Sequence, residues 1–94
     1  MQNPKVKWND ANMTTSYANV CNALSTREEV TLLFGTRQSF QAGKNELEVK
    51  LSDRIILNPF AAKRLLALLN HVLQEYESRY GKLEIQELEN VKKH

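Results

Sequence analysis

The sequence predicts an α+β fold, in which three antiparallel strands form a meander and one long amphipathic helix follows and packs on the sheet. Two patterns predict it. Between residues 46 and 57, apolar residues alternate with polar ones, which is typical of a half-buried strand. Between residues 58 and 80, apolar residues recur every three or four positions, which is typical of an amphipathic helix.

The helix has a start signal and a stop signal. Asn58 is predicted to cap it by accepting a hydrogen bond from a free amide of the first turn. Pro59 suits the first helical position, because no backbone donor is needed there. Gly81 is predicted to take a left-handed conformation that closes the last turn. No Gly or Pro interrupts the residues between them.

The apolar face of the helix is wide. At about 100° per residue it covers an arc of roughly 160°, more than the ~100° that one-sided packing needs. One interpretation is that the whole arc packs on the sheet. The other is that part of it meets a second copy of the chain, which the small size of a 94-residue chain favours. We expect the chain to associate with itself as a dimer or a tetramer. The candidate oligomer interface consists of Leu65, Leu66, Leu69, Val72, Leu73 and Tyr76.

Composition limits the class of protein. The chain has 94 residues, 41% hydrophobic and 26% charged, which is typical of a single soluble domain. No apolar run approaches the ~20 residues of a membrane span, and the first residues lack the apolar stretch of a signal peptide. With a single cysteine, we expect a cytoplasmic protein without membrane insertion. A net charge of +2, with basic residues spread along the chain, does not favour a nucleic-acid partner.

The chain divides into an arm over residues 1–16, a β-β-β-α domain over 17–81 and a C-terminal segment over 82–94. The arm is mostly polar. Its Trp8 either docks on the body or a neighbouring chain, or is an incidental exposed residue. The C-terminal segment is either a short second helix or a disordered tail.

The strands are predicted from alternation and turn signals. The first spans residues 17–24, and a short polar loop connects it to a second strand over 29–34, which Gly35 is predicted to end. The third strand spans residues 46–57. Asp53 falls in phase with its apolar residues, which suggests a bulge or bend at this point.

Two groups of residues are candidates for binding another protein. The connector over residues 36–45 is rich in turn formers, and loops of this kind often carry function. A basic pair also lies in the first helical turn, near free backbone amides. Both groups are equally compatible with ordinary solvated surface. The candidate partner-binding residues are Arg37, Phe40, Lys44, Lys63 and Arg64.

The residues that catalysis or metal binding requires are scarce, and we expect no enzymatic activity, cofactor or metal. Cys21 is the only cysteine, and its small apolar neighbours predict a buried, inert thiol. His71 and His94 are the only histidines. His71 and Glu75 are spaced to share a metal, but two ligands do not make a site.

Two stretches resemble a known family. They are YANVCNALSTREEVTLLFG (Tyr17–Gly35) and RIILNPFAAKRLLALLNHVLQEYESRYG (Arg54–Gly81). Together they resemble a bacterial family of small proteins known only as a domain of unknown function. Their Leu-Asn-Pro-Phe and Arg-Glu-Glu-Val sequences resemble those of cyanobacterial members. The resemblance covers residues 17–81 and leaves the arm and the C-terminal segment outside. It implies no activity and no catalytic residues.

The order of elements is also similar to that of the SecB-like export-chaperone fold, although that fold has one more strand. The sequence therefore leaves three binding functions open. The first is a homo-oligomeric module that docks on another cytoplasmic protein. The second is a SecB-like chaperone that holds non-native chains, and the third is a weak nucleic-acid-binding protein, whose binding would be salt-sensitive.

Overall fold

A computed structural model of the chain describes residues 3–38 and 47–85. It contains β1 (Val20–Ser25), β2 (Val30–Arg37), β3 (Val49–Leu57) and α1 (Pro59–Tyr80). The strands form one antiparallel sheet in the order β1-β2-β3. The predicted α+β fold, a three-stranded meander followed by one helix, is confirmed.

The described residues belong to two compact units. One contains the arm, the first four residues of β1, most of β2 and β3 up to Ile55. The other contains the tip of the β1–β2 hairpin and the stretch from Ile56 through α1.

The hairpin between β1 and β2 is closed by Thr26. Its backbone amide donates to the Glu29 carbonyl at 2.9 Å. Its hydroxyl oxygen lies 3.3 Å from the amides of both Glu28 and Glu29 and can accept from them. A threonine hydroxyl that binds amides two and three residues ahead mimics a backbone turn. The predicted polar hairpin loop is confirmed at this position.

Gly35 does not end β2, as the sequence had suggested, because the strand continues through it to Arg37. The glycine is there because β3 passes too close for a side chain. A Cβ built on Gly35 would lie 2.2 Å from the Lys50 carbonyl oxygen and 2.9 Å from the Leu51 Cα. In a strand, a glycine can mark such a close approach of two backbones as well as a break.

β1 begins at Val20, three residues later than predicted. At Asn19, a side-chain hydrogen bond takes the place of the next backbone hydrogen bond between β1 and β2. The Asn19 amide still donates to the Gly35 carbonyl at 3.0 Å. The next donor on β2, the Arg37 amide, is bound by the Asn19 Oδ1 at 2.9 Å. A side-chain carbonyl thus takes the place of a backbone one, and the regular pairing stops.

β3 begins at Val49, whereas the sequence predicted a start at Glu46. Just before the strand, the Gln38 amide donates to the Glu48 carbonyl at 2.9 Å. Residues 39–46, which include most of the predicted connector, lie outside the described residues. The strand then runs through Asp53, whose Oδ2 lies 2.8 Å from the Ser52 hydroxyl. Asp53 is half-buried, in step with Val49 and Leu57.

The predicted cap at the start of α1 is confirmed, and Gly81 ends the helix with a positive φ but not in the predicted left-handed helical conformation. The Asn58 Oδ1 accepts from the Ala61 amide at 2.8 Å, and Pro59 occupies the first turn. Gly81 has φ 102° and ψ 163°, an extended region with positive φ that is essentially restricted to glycine. Its amide donates to the Glu77 carbonyl at 2.9 Å, so the last turn closes with a helical bond. The Glu77 carboxylate then accepts from the Leu83 amide at 2.8 Å.

In the described part of the chain, no apolar side chain is fully buried. Among residues 3–38 and 47–85, no hydrophobic residue is buried, and the only buried residue of any kind is Gly35. The apolar residues of the sheet are half-buried or exposed, and no residue of α1 is buried. A domain normally encloses one contiguous apolar core, so the apolar surface of this chain is still open.

Candidate oligomer interface

The largest open apolar surface on one element is the face of α1. Leu66, Leu69, Val72, Leu73 and Tyr76 keep between 44% and 56% of their surface exposed. Leu65 is half-buried. These are the six residues that the sequence predicted for an oligomer interface, and the unbroken helix brings them onto one face. Side chains of this size are usually buried, so the surface is unusual for a single chain.

Three further apolar residues of α1 are more exposed than the predicted six. They are Phe60, Leu68 and Tyr80, which are between 64% and 74% exposed. The periodicity places Leu68 at one edge of the same arc and Tyr80 within it, so their extension of the interface was readable from the sequence. Phe60 lies in the first turn and outside that arc, so the helical periodicity did not indicate that it belongs to the interface.

The C-terminal part of the face is aromatic. The rings of Tyr76 and Tyr80 have their centroids 4.9 Å apart with 48° between their planes. Tilted rings at this distance attract each other, because the edge of one meets the face of the other. The pair forms a bulky end to the helix face, while Ala61 and Ala62 make its N-terminal end small.

The charges of α1 are divided between its two ends. The exposed residues Lys63 and Arg64 lie in the second turn, and the first turn holds no acidic residue. Near the other end are Glu75 and Glu77, followed by the basic residue Arg79 in the last turn. Glu75 lies 3.8 Å from the His71 Nε2 of its own helix. Cations at the N-terminus and anions near the C-terminus both oppose the helix dipole, so this distribution does not stabilise the helix itself.

The other predicted partner-binding residues do not form one site in the part of the chain that the structure describes. Arg37 is exposed at the end of β2 and belongs to a different compact unit from Lys63 and Arg64. Phe40 and Lys44 lie outside the described residues. The only pair that is placed together is therefore Lys63 and Arg64, by adjacency on the helix.

The N-terminal arm contains neither helix nor strand over residues 3–19, and its apolar residues are open. Trp8 is 88% exposed, so it does not dock on its own chain. A turn precedes Met13, whose amide donates to the Asp10 carbonyl at 3.1 Å. In the same turn the Asn9 Oδ1 accepts from the Ala11 amide at 3.0 Å. The arm therefore has local order without packing.

Where the arm meets the sheet, an open pocket of about 290 Å³ is formed. The Ser16 hydroxyl lies 3.5 Å from the Asp53 Oδ1 at this place. The sequence reasoning missed the pocket, although Asp53 gave a signal by interrupting the apolar alternation of β3. The lining residues are Thr14, Ser16, Ala18, Phe34, Asp53 and Ile55.

Metal-binding side chains and the single thiol are placed as follows in the part of the chain that the structure describes. Within it, no three His, Cys, Asp or Glu side chains are placed to hold a metal ion. Cys21 is exposed, so the sequence-based expectation of a buried thiol is wrong. Five of the six residues of β1, Cys21 among them, are exposed, so the described residues cover neither face of this strand in the single chain. Among the described helices, none is long and apolar enough to cross a membrane.

Comparison with known proteins identifies a family and no function. The chain matches no curated protein and no solved structure. The model of one family, described as a protein of unknown function, matches residues 1–85. This match takes in the N-terminal arm, which the sequence resemblance had left outside. The chain therefore belongs to the DUF3467 family of proteins of unknown function.

Proposed function

We propose that this chain is a non-enzymatic interaction module that associates with itself and, once assembled, docks on another protein of the cytoplasm. One observation carries the proposal: none of the described apolar side chains is buried in the single chain. Ordering the backbone of one residue costs about 1–2 kcal/mol, and burial of apolar surface is the main term that offsets this cost. A second chain is the simplest source of the missing burial.

The face of α1 is the surface best suited to self-association. The face is continuous along a 22-residue helix. Hydrogen bonds cap this helix at both ends. The exposed basic residues Arg37, Lys63 and Arg64 are then the candidates for contacts with a different protein. Exposed cations of this kind mainly affect the rate and selectivity of docking.

A binding role fits the described side chains better than a catalytic one. Cys21 and His71, the described thiol and imidazole, are both exposed, and neither lines the pocket beside Asp53. A catalytic nucleophile needs a base within hydrogen-bonding reach and a site that excludes water. An exposed single thiol is also compatible with a reducing compartment such as the cytoplasm.

The test is the solution mass of the wild-type chain and of Leu69→Glu, measured by light scattering over a range of concentrations. We expect a wild-type dimer or tetramer and a smaller species for Leu69→Glu, because a buried unpaired carboxylate is strongly unfavourable at an apolar interface. The matched control is Gln74→Glu, which adds the same charge on the opposite side of α1 and should keep the wild-type mass. A wild-type monomer at all concentrations would overturn the proposal.

The exposed apolar residues outside α1 support a second candidate function, a chaperone that holds non-native chains. Trp8 in the arm and Ile85 after the helix are 88% and 87% exposed. A chaperone of this kind binds unfolded protein through such surfaces without sequence specificity. The discriminating measurement is the aggregation of an unfolded client protein at equimolar chain concentration. Suppression would favour the chaperone, and unchanged aggregation would favour the specific docking module.

A further inference from the structure

We propose that α1 docks antiparallel on α1 of a second copy, with the two-fold axis beside Leu69 and Asn70. This inference rests on the self-association proposed above and names its surface, its direction and its register. It is carried by the charges, the side-chain sizes and the exposed area of the helix.

The charges lie on matching sides of the apolar face. With Leu65 at zero and about 100° per residue, Arg64 and Glu75 fall near −100° and −80°, beyond the edge that Leu68 forms. Lys63 and Glu77 fall near 160° and 120°, beyond the edge that Leu66 forms. Each side of the face therefore carries one cation near the N-terminus and one anion near the C-terminus.

An antiparallel pair brings these opposite charges together. A two-fold axis perpendicular to the helices places like sides of the two faces next to each other and opposite ends together. Arg64 then lies beside Glu75 of the second copy, and Lys63 beside Glu77. The midpoint of the first pair lies between Leu69 and Asn70, and the midpoint of the second lies at Asn70. Both sides thus specify the same axis to within half a residue.

The sizes of the side chains specify the same direction. The N-terminal end of the face has Ala61 and Ala62, and the C-terminal end has the paired rings of Tyr76 and Tyr80. In the antiparallel register, Ala62 faces Tyr76, so the small end of one helix makes room for the large end of the other. In a parallel pair, rings would meet rings and alanines would face alanines across a gap.

A parallel pair would also bring like charges together. A two-fold axis parallel to the helices brings opposite sides of the two faces together, so Lys63 would lie beside Arg64 of the second copy. Glu75 would likewise lie beside Glu77 of the second copy. Like charges placed next to each other across an interface are unfavourable and select against that arrangement. The distribution that opposes the dipole of a single helix is therefore favourable for an antiparallel pair, in which each basic N-terminus lies beside an acidic C-terminus.

The exposed area is sufficient for a stable pair. If a large apolar side chain has roughly 200 Å² of surface, seven that remain about half exposed offer roughly 700 Å² per helix. Two helices can then bury more than the ~1,000 Å² that marks a specific interface. The seven side chains are those of Leu66, Leu68, Leu69, Val72, Leu73, Tyr76 and Tyr80.

The first experiment measures the dimer dissociation constant of K63E/R64E at low salt by sedimentation equilibrium. In the antiparallel pair, both ends of every helix would then meet like charges, so we expect the constant to rise about tenfold or more. The substitution removes two cations near the N-terminus, where they oppose the helix dipole, so weaker association would not reflect a damaged helix. The matched control, R27E/K82E, makes the same change in net charge at exposed sites outside α1 and should keep the wild-type constant.

The second experiment restores the pairing and tests its direction. The variant K63E/R64E/E75K/E77K reverses both ends, so it should associate with itself as wild type does. Mixed with the wild-type chain, it should form separate homodimers if the helices are antiparallel. Heterodimers in the mixture, detected by native mass spectrometry, would indicate parallel helices and overturn the proposal. Far-UV circular dichroism of each variant checks that α1 is intact.

A cysteine pair gives an independent readout of register in a Cys21→Ser background. Leu69→Cys lies at the two-fold axis and should form a disulfide with its own copy. Leu65→Cys would be displaced from its copy by about 13 Å along the axis, at 1.5 Å per residue, and should not. Efficient Leu65→Cys crosslinking would contradict the antiparallel register.

The outcomes separate this inference from the proposed function. If the wild-type chain is monomeric, the proposed self-association fails and the antiparallel pair fails with it. If the wild type is oligomeric but K63E/R64E keeps its dissociation constant, self-association stands and another surface covers α1, which overturns only the antiparallel pair.

Discussion

Gly35 lies directly against the backbone at Lys50, so that a Cβ on Gly35 would be only 2.2 Å from the Lys50 carbonyl oxygen. The obstacle is backbone and not the end of a flexible side chain. β2 and β3 can therefore keep their spacing here only if residue 35 has no side chain. Gly35 is also the one buried residue among those that the structure describes.

Gly35→Ala is therefore expected to lower the free energy of unfolding by about 2–3 kcal/mol, a size typical of a steric clash that the surroundings cannot relax. Urea unfolding should be followed by circular dichroism at one fixed chain concentration, because association is linked to stability. Thr36→Ala, at the next position of β2, is the control and should change the free energy of unfolding by less than about 1 kcal/mol. Equal effects of the two substitutions would contradict a special role for Gly35.

The Asn19 side chain is predicted to protect a single backbone amide. In Asn19→Ala, the Arg37 amide loses the Oδ1 acceptor that lies 2.9 Å away, and its hydrogen exchange should be about fivefold faster, as expected for a bond worth about 1 kcal/mol. Asn19→Asp keeps an acceptor oxygen in the same place and should restore the protection. Amide exchange followed by NMR distinguishes the two. Equal exchange in Asn19→Ala and wild type would show that this bond does not hold the end of β2.

Cys21 is predicted to react with an aromatic disulfide reagent in the native protein at a rate within about tenfold of the urea-unfolded chain, because access and thiolate character control this reaction. The thiol is exposed in the single chain. The measurement is absorbance of the released thiolate against time. Cys21→Ser is the control for non-specific reaction. A native rate that is orders of magnitude slower would mean that a second chain covers β1 in the assembly, and the interface would then include the sheet.

The elements whose signals lie close together in the sequence were predicted well. The Asn58 cap and its bond to Ala61 involve residues three apart, and the hairpin at Thr26 involves residues within three positions. The six interface residues of α1 followed from helical periodicity, since a regular helix fixes which side chains share a face. Whether that face meets a second chain is a property of the assembly, and it stays a prediction.

The features that were missed depend on contacts distant in sequence. Gly35 looked like the end of a strand, and only the passage of Lys50 beside it shows that it continues one. The start of β1 depends on a bond from Asn19 to a residue 18 positions away. The pocket beside Asp53 requires the arm to return to β3.

The sequence by itself thus determined the type and order of the elements, the ends of the helix and the side chains that share its apolar face. These follow from hydrogen bonds and periodicities that reach only a few residues. The tertiary structure decided how far β2 extends, where β1 begins and that no apolar side chain among the described residues is buried in one chain. Burial depends on which surfaces meet in space, and local patterns in the sequence do not specify those meetings.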